Sequence, residues 1–242
     1  MVIGKFISLD EIDSTNKYIK ENLNILESGT IVVTKNQTNG YGRNARFWFN
    51  EKGSSLTFSM LVKQDLREDL GLITQLTAVS VLKTLEKYSV NALIKWPNDI
   101  IINHKKVCGI LVENIISESS VSVIIGIGLN VNNEQFDKSI LHKATSLYLE
   151  TKLKYDVVDV LNTLLEKLEL YYNQYLKQTT EFLGIARKMS CLIGKEILLE
   201  NHKETAIVKD IDQLGRLVVI TNGQEKVYTG NEVSLSNSYR GK

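Results

Sequence analysis

A single proline, Pro97, two cysteines and three histidines are scattered through 242 residues whose formal net charge is only +1. Each scarcity removes a class of protein. Cys108 and Cys191 lie far apart with no CxxC spacing, which argues against a disulfide framework or a cysteine zinc site. His104, His142 and His202 show no metal-ligand spacing and read as surface residues. Near-neutral charge argues against a protein built wholesale to coat nucleic acid or an anionic membrane. No apolar run approaches the ~20 residues that cross a bilayer. Met1-Val-Ile-Gly-Lys-Phe6 lacks the apolar stretch and cleavage site of a signal peptide. A cytoplasmic protein without membrane contact is expected. No Ser–His–Asp or Cys–His set appears, and no carboxylate pair stands out for glycosidic chemistry.

What is present is ordinary globular material, 43% apolar and 24% charged. The length suits one large domain and a small one, and the boundary is drawn at 1–188 and 189–242. Asp13-Ser-Thr-Asn16 offers helix caps before Tyr18, Ile19, Leu23 and Leu26 at helical spacing. Ile31–Val33, Leu56–Val62, Ala92–Lys95 and Val121–Ile125 read as strands, with Ser117–Ser120 turning into the last. Leu70–Leu85, Asp156–Leu176 and Glu181–Lys188 read as helices. After about residue 190, short strands alternate with turns at Gly194, Gly215, Asn222-Gly223 and Gly230, the mark of a small all-β module. Strands and helices in the body do not alternate strictly. The expected class is therefore α+β with a mixed or antiparallel central sheet.

Three segments depart from plain packing. In Lys95-Trp-Pro-Asn-Asp99, Pro97 biases Trp96 away from helix and Asn98-Asp99 supplies turn chemistry. A hairpin then spans 99–113 with its turn at Asn103-His104, so Ile101 faces Lys106 and Asp99 lies one diagonal step from that lysine. By alternation Lys106, Cys108, Ile110 and Val112 share a face, with Gly109 on the other, where something comes close to the backbone. A surface hairpin with solvated lysines is the alternative. The second segment is Gln37-Thr-Asn-Gly-Tyr-Gly-Arg-Asn-Ala-Arg-Phe-Trp48. Gly40 and Gly42 allow close approach to a ligand, and Arg43 and Arg46 suit phosphate capture. It is neither a P-loop nor a dinucleotide fingerprint. A solvated basic loop, or an RNA surface stacking bases on Tyr41, Phe47 and Trp48, would also explain it. In the third, Gly126-Ile-Gly-Leu-Asn130, glycines at a strand end followed by an asparagine either line a pocket or simply leave the strand.

Together these segments supply four cations (Arg43, Arg46, Lys95, Lys106), one acid (Asp99), bare backbone and two tryptophans. That set suits joining two anions, a carboxylate and the α-phosphate of ATP, because fixed cations lower an electrostatic barrier.

In the order Asp13-Ser-Thr-Asn16, Gln37 with Gly40-x-Gly-Arg-x-x-Arg-x-Trp48, Lys95-Trp-Pro-Asn-Asp99, Lys106-x-x-Gly-Ile-Leu-Val-Glu113 and Gly126-x-Gly-x-Asn130, the chain resembles the biotin–protein ligases. The resemblance implies a body of the class II aminoacyl-tRNA synthetase and biotin ligase kind, followed by an SH3-like β-barrel. It implies that biotin and MgATP give biotinyl-5'-AMP, whose biotinyl group passes to a lysine of a biotin carboxyl carrier protein. Ser14, Thr15, Asn16, Gln37, Tyr41, Gly42, Gly109 and Ile110 would then hold biotin. Arg43, Arg46, Trp48, Lys95, Asn98 and Asn130 would surround the nucleotide. Lys106 would bind the carboxylate and α-phosphate, Arg43 would hold phosphate or carboxylate, and Asp99 would orient or deprotonate the acceptor lysine. Glu113 is open to metal ligation or a structural role, so the magnesium ligands stay unassigned. Tyr41, Asn44 and Ala45 stand where the family carries more arginine and glycine. With few residues before Asp13, the chain resembles the monofunctional kind, without sequence-specific DNA binding. A homodimer is left open. A lipoate or octanoate ligase or transferase of the same fold is the nearest alternative, and a non-catalytic biotin- or RNA-binding module is the second.

Overall fold

The computed structural model describes residues 3–64, 70–116, 121–199 and 203–233. The expected turn at 117–120 and His202 lie outside them. Seven strands form one sheet: β1 (Phe6–Ile12), β2 (Ile31–Gln37), β3 (Ser55–Gln64), β4 (Leu93–Lys95), β5 (Asp99–Ile102), β6 (Lys105–Ile116) and β7 (Val121–Asn130). Their spatial order is β1-β2-β3-β7-β6-β5-β4. Only β1 and β2 run parallel, so the sheet is mixed as expected. β1 has no counterpart among the sequence expectations. It is an edge strand with no fully buried residue, and its alternation, over Phe6–Asp10, is carried by the half-buried Ile7 and Leu9.

Alternation along β7 sorts the sheet into two faces. Val121, Val123, Ile125, Ile127 and Leu129 join the main core with Leu56, Phe58, Met60 and Val62 of β3. Three helices complete that core: α2 (Leu70–Lys87), α4 (Val157–Leu176) and α5 (Glu181–Lys188). Each fully buried large apolar side chain contributes about 1.5–3 kcal/mol, which fixes the register of the central strands. The intervening β7 residues Ser122, Ile124, Gly126, Gly128 and Asn130 point the other way. Ile124 is covered by α1 (Thr15–Glu21), through Ile19. α1 is shorter than its apolar spacing suggested: Asn22 caps it, and Leu26 is buried from the following turn. β7 runs through Gly126 and Gly128 to Asn130, so those glycines lie within the strand instead of at its exit. A short helix, α3 (Leu147–Thr151), was not foreseen.

The last four strands, β8 (Glu196–Leu199), β9 (Glu204–Ile211), β10 (Leu217–Thr221) and β11 (Gln224–Tyr228), make an antiparallel sheet in the order β11-β10-β9-β8. Asn222 and Gly223 turn the β10–β11 hairpin with positive φ, as their sequence requires. This sheet is tied to the body at several points. Trp96 Nε1 donates to the Gly215 carbonyl at 3.0 Å, and Arg187 Nε donates to the Ile211 carbonyl at 2.7 Å.

Two local features yield predictions. A Cβ placed on Gly71 would run into the Leu214 carbonyl, and backbone there cannot swing aside as a side chain can. Gly71→Ala should cost about 1–3 kcal/mol by overpacking. A urea titration checks it, and an unchanged midpoint would refute that close approach. In the 37–48 loop, Ala45 sits at φ 53, a region that costs an L-residue roughly 1–2 kcal/mol. Ala45→Gly should therefore leave stability unchanged or raise it. A loss of about 1 kcal/mol in the same titration would place Ala45 in the ordinary right-handed region.

Candidate functional site

The face of the sheet away from α2 carries a cavity of about 170 Å³. Its floor is Gly109, Gly126 and Gly128, and its walls are the start of α1, the 37–48 loop and the Lys95–Asp99 turn. The missing side chains are needed. A Cβ on Gly109 would lie 2.9 Å from Lys106 Nζ and 3.0 Å from the Trp48 ring. On Gly128 it would enter the Trp48 indole, and on Gly126 the Asn16 amide.

One irregularity in β6 sets the chemistry. Ile101 pairs with Lys106 as expected, but Ile100 pairs with Cys108 and Asp99 with Gly109, leaving Val107 as an extra residue. This bulge corrects the simple alternation. Cys108 and Ile110 turn into the helix-side core, while Gly109 faces the cavity with Lys106, not away from it. Lys106 Nζ lies 2.6 Å from Asp99 Oδ1 and 5.3 Å from the centre of the Trp48 ring. Its backbone is braced as well: its N–H donates to the Lys143 carbonyl at 2.7 Å, and its carbonyl accepts from Thr145 N–H at 2.9 Å. The solvated-lysine hairpin is therefore set aside for Lys106.

At the other end, polar groups are held in a fixed set. Thr15 N–H and Oγ1 donate to Gln37 Oε1 at 2.8 and 3.0 Å. Ser59 Oγ lies 2.6 Å from Thr15 Oγ1 and against Asn16 Oδ1. A Cβ on Gly40 would lie 2.5 Å from Gln37 Nε2, so a side chain there would push the Gln37 amide aside. Asn16 Nδ2 donates to Glu113 Oε2 at 2.7 Å, and Lys20 Nζ sits 2.7 Å from Glu113 Oε1. Burial pulls the Lys20 ammonium down, but the hydrogen bonds with Glu113 and Tyr41 outweigh it, so its pKa lies above the ordinary value. Glu113 is thus engaged by side chains. Among the described residues no group of three or more His, Cys, Asp or Glu could hold a metal.

The loop closes the cavity from above. Trp48 N–H donates to the Gly40 carbonyl at 2.9 Å, and Gly42 N–H to the Arg46 carbonyl at 2.8 Å. Arg43 reaches outward: it donates to Asn98 Oδ1 at 3.3 Å, to the Gly230 carbonyl and to the Val233 carbonyl at 3.4 Å. Burial pulls its guanidinium below the ordinary value, opposed by Asp99 and reinforced by Arg46, yet an arginine remains charged at neutral pH. Burial raises both thiols, Cys191 to about 11 and Cys108 further, so neither is a nucleophile.

Ser14, Thr15, Asn16, Gln37, Tyr41, Gly42, Arg43, Arg46, Trp48, Lys95, Asn98, Asp99, Lys106, Gly109 and Ile110 all line this one cavity. Asn130 does not. It is buried at the end of β7, where its Nδ2 donates to the Thr145 carbonyl at 2.9 Å, behind the segment that braces Lys106. Lys20, Thr57 and Ser59 were missed. Lys20 follows Asn16 by four residues on α1, and Thr57 and Ser59 alternate with the core residues of β3. Those spacings were the available signals.

Residues 8–130 match the model of the biotin/lipoate A/B protein ligase family, and residues 192–236 that of the biotin protein ligase C-terminal domain. The bifunctional ligase/repressor BirA of Bacillus subtilis is 35% identical over 233 residues, 92% of this chain and 71% of that protein. Its Escherichia coli counterpart is 28% identical over 96% of this chain and 74% of its own length. The structure of biotin protein ligase from Aquifex aeolicus in complex with biotin and ATP superposes with a TM-score of 0.84 at 31% identity, covering 96% of this chain and 98% of that one. With both family models matched in order, and a floor of glycine under a lysine–aspartate pair, the chain belongs to the biotin/lipoate A/B protein ligase family.

Proposed function

We propose that the cavity joins biotin to ATP and then to a carrier-protein lysine, making the chain an ATP-dependent biotin–protein ligase. The observation that carries this reading is the Lys106–Asp99 pair, set between a rigid polar pocket and a cationic loop. Ser14, Thr15, Asn16 and Gln37 offer donors and acceptors together, which suits a ureido ring and gives a dithiolane nothing to bond. The biotin carboxylate oxygen attacks the α-phosphate, the bond to the bridging oxygen breaks, and pyrophosphate leaves. Both reactants are anions, so Lys106 Nζ, aimed at the charge that develops between them, does most for the transition state. Arg43, Arg46, Lys95, Asn98 and Trp48 take the nucleotide side, and magnesium arrives with the ATP phosphates. Asn130 serves the same step indirectly, through its hold on Thr145.

In the second step the acceptor amine attacks the acyl carbon and AMP departs. Asp99 is placed to orient the amine and take its proton. A biotin carboxyl carrier protein in the cytoplasm is the acceptor that fits this chemistry. Among the described residues, β6 beyond Ile110 pairs only with β7, so its outer edge offers an extended segment a place to dock beside the cavity. At about 170 Å³ the cavity is smaller than the roughly 300–1,000 Å³ of ligand pockets. The 37–48 loop, which also lines an adjoining cavity of about 690 Å³, is the wall whose shift would join the two.

Pyrophosphate release should require biotin and ATP together, followed by transfer to a carrier domain. Turnover with lipoate in place of biotin would move the protein to the lipoate branch, and no release with either acid would leave a binding module. Lys106→Ala, with Lys106→Met as a bulkier control, should lower the rate of adenylate formation by about 10²–10³ while the thermal melt stays cooperative. Near-normal single-turnover rates in both variants would remove Lys106 from the chemistry.

A further inference from the structure

Three side chains, two from α1 and one from the glycine loop, meet on the Glu113 carboxylate of β6 beside the cavity. Tyr41 leaves the glycine loop, and its OH lies 3.3 Å from Glu113 Oε2 and 3.1 Å from Lys20 Nζ. Lys20 Nζ sits 5.5 Å from the centre of the Tyr41 ring, adding a cation–π contact to the hydrogen bond. The same ammonium pairs with Glu113 Oε1, and Glu113 Oε2 also accepts from Asn16 Nδ2. Glu113 thus ties the loop to α1 and to Asn16 in the polar pocket. Lys20 and Glu113 are half-buried, with side-chain exposures of 33% and 24%, so water screens the pair only in part.

Tyr41 is also the start of the loop's own closure. It bridges to Phe47 in antiparallel fashion, and its neighbours Gly40 and Gly42 bond back to Trp48 and Arg46. Fixing Tyr41 therefore fixes both ends of the turn that carries Arg43 and Arg46. Arg43 itself is committed to Asn98 and to carbonyls of the C-terminal segment, so it does not grip α1 or β6.

We infer that Tyr41, Lys20 and Glu113 form a latch that holds the loop over biotinyl-5'-AMP between the two steps, with Glu113 a positioning residue shared by loop and biotin pocket. This rests on the ligase reading above. The latch acts on retention of the adenylate, not on its formation. Tyr41→Phe keeps the ring and loses the hydroxyl. Lys20→Met keeps the stem and loses the charge. Each removes one arm.

The test forms biotinyl-5'-AMP on the whole enzyme from labelled biotin and ATP, then follows its escape during a chase with excess unlabelled adenylate. Tyr41→Phe and Lys20→Met should each speed escape by about tenfold, the factor that one hydrogen bond of ordinary net strength controls. The double variant should be little faster than either single one, because both act through one latch. Calorimetric affinity for biotin alone should change less than twofold in Lys20→Met, and fall clearly in Glu113→Ala, which also releases Asn16. Unchanged escape in Tyr41→Phe and Lys20→Met, with wild-type melting curves, would overturn the latch. So would equal losses of biotin affinity and retention in Tyr41→Phe, which would make the hydroxyl a direct ligand contact. If the wild-type chain forms no adenylate at all, the ligase reading fails instead, and the two failures are distinct.

Discussion

Val107, one residue too many for the ladder between β5 and β6, decides which face of the sheet Lys106 shares with Gly109. Were the ladder regular through Val107, strict alternation would place Lys106 with Cys108 and Ile110, which belong to the helix-side core. A lysine ammonium there would be far from water and far from any anion, at a cost of several kcal/mol. With the bulge, Lys106 stays beside Asp99 while the following residues return to the core, and Gly109 comes round beneath the ammonium. Bulges that re-aim a side chain in this way are common next to active sites. The brace from residues 143–145 then holds the backbone of Lys106 where the bulge has loosened its ladder.

Everything else in the cavity follows from keeping that ammonium paired but reachable. Asp99 balances it in the resting state, and the Trp48 ring covers it with a π face that costs no further charge. Side-chain exposures of 34% and 26% leave the pair partly wet, so an incoming carboxylate or phosphate can compete for the lysine without stripping a dry ion pair. A fully buried pair would resist that exchange, and a fully exposed lysine would be worth little to a transition state. The intermediate placement serves both demands of the mechanism proposed above.

Much of this was legible in residue order. The Asn103-His104 turn and the pairing of Ile101 with Lys106 followed from turn chemistry, and both residues have positive φ. α2 and α4 followed from apolar periodicity, and the Asn222-Gly223 hairpin from its dipeptide. The bulge was not legible, because nothing in Lys106-Val-Cys-Gly distinguishes a regular strand from one carrying an extra residue. Its consequence, the face of Gly109, was therefore misassigned. β1 escaped because its alternation is carried by only half-buried residues, Ile7 and Leu9, over a run too short to stand out. Lys20 escaped for a different reason: a lysine four residues beyond a helix start reads as solvated until the partner from a strand 93 residues away is placed beside it.

The departures in the 37–48 loop also acquire a physical sense. A loop rich in arginine can hold an anionic adenylate by charge alone, and it then needs no fixed anchor of its own. Here Tyr41 stands in such a position, and Arg43 is engaged by Asn98 and by the Gly230 and Val233 carbonyls. The loop is thus fastened at two points, to β6 through Tyr41 and to the C-terminal segment through Arg43. Gly230 in turn packs on Pro97, 3.4 Å from where its Cβ would be. The C-terminal segment therefore touches the site twice, at the loop and at the turn that delivers Asp99. Motion of the loop to admit reactants must break contacts at one anchor or both, and the weaker anchor sets the direction in which it opens. Arg43 loses bonds to neutral carbonyls alone, whereas Tyr41 would leave a carboxylate and an ammonium that remain paired with each other. Release at Tyr41 leaves no unpaired charge behind it. On that ground the latch proposed above implies opening at Tyr41, with the C-terminal segment as the hinge.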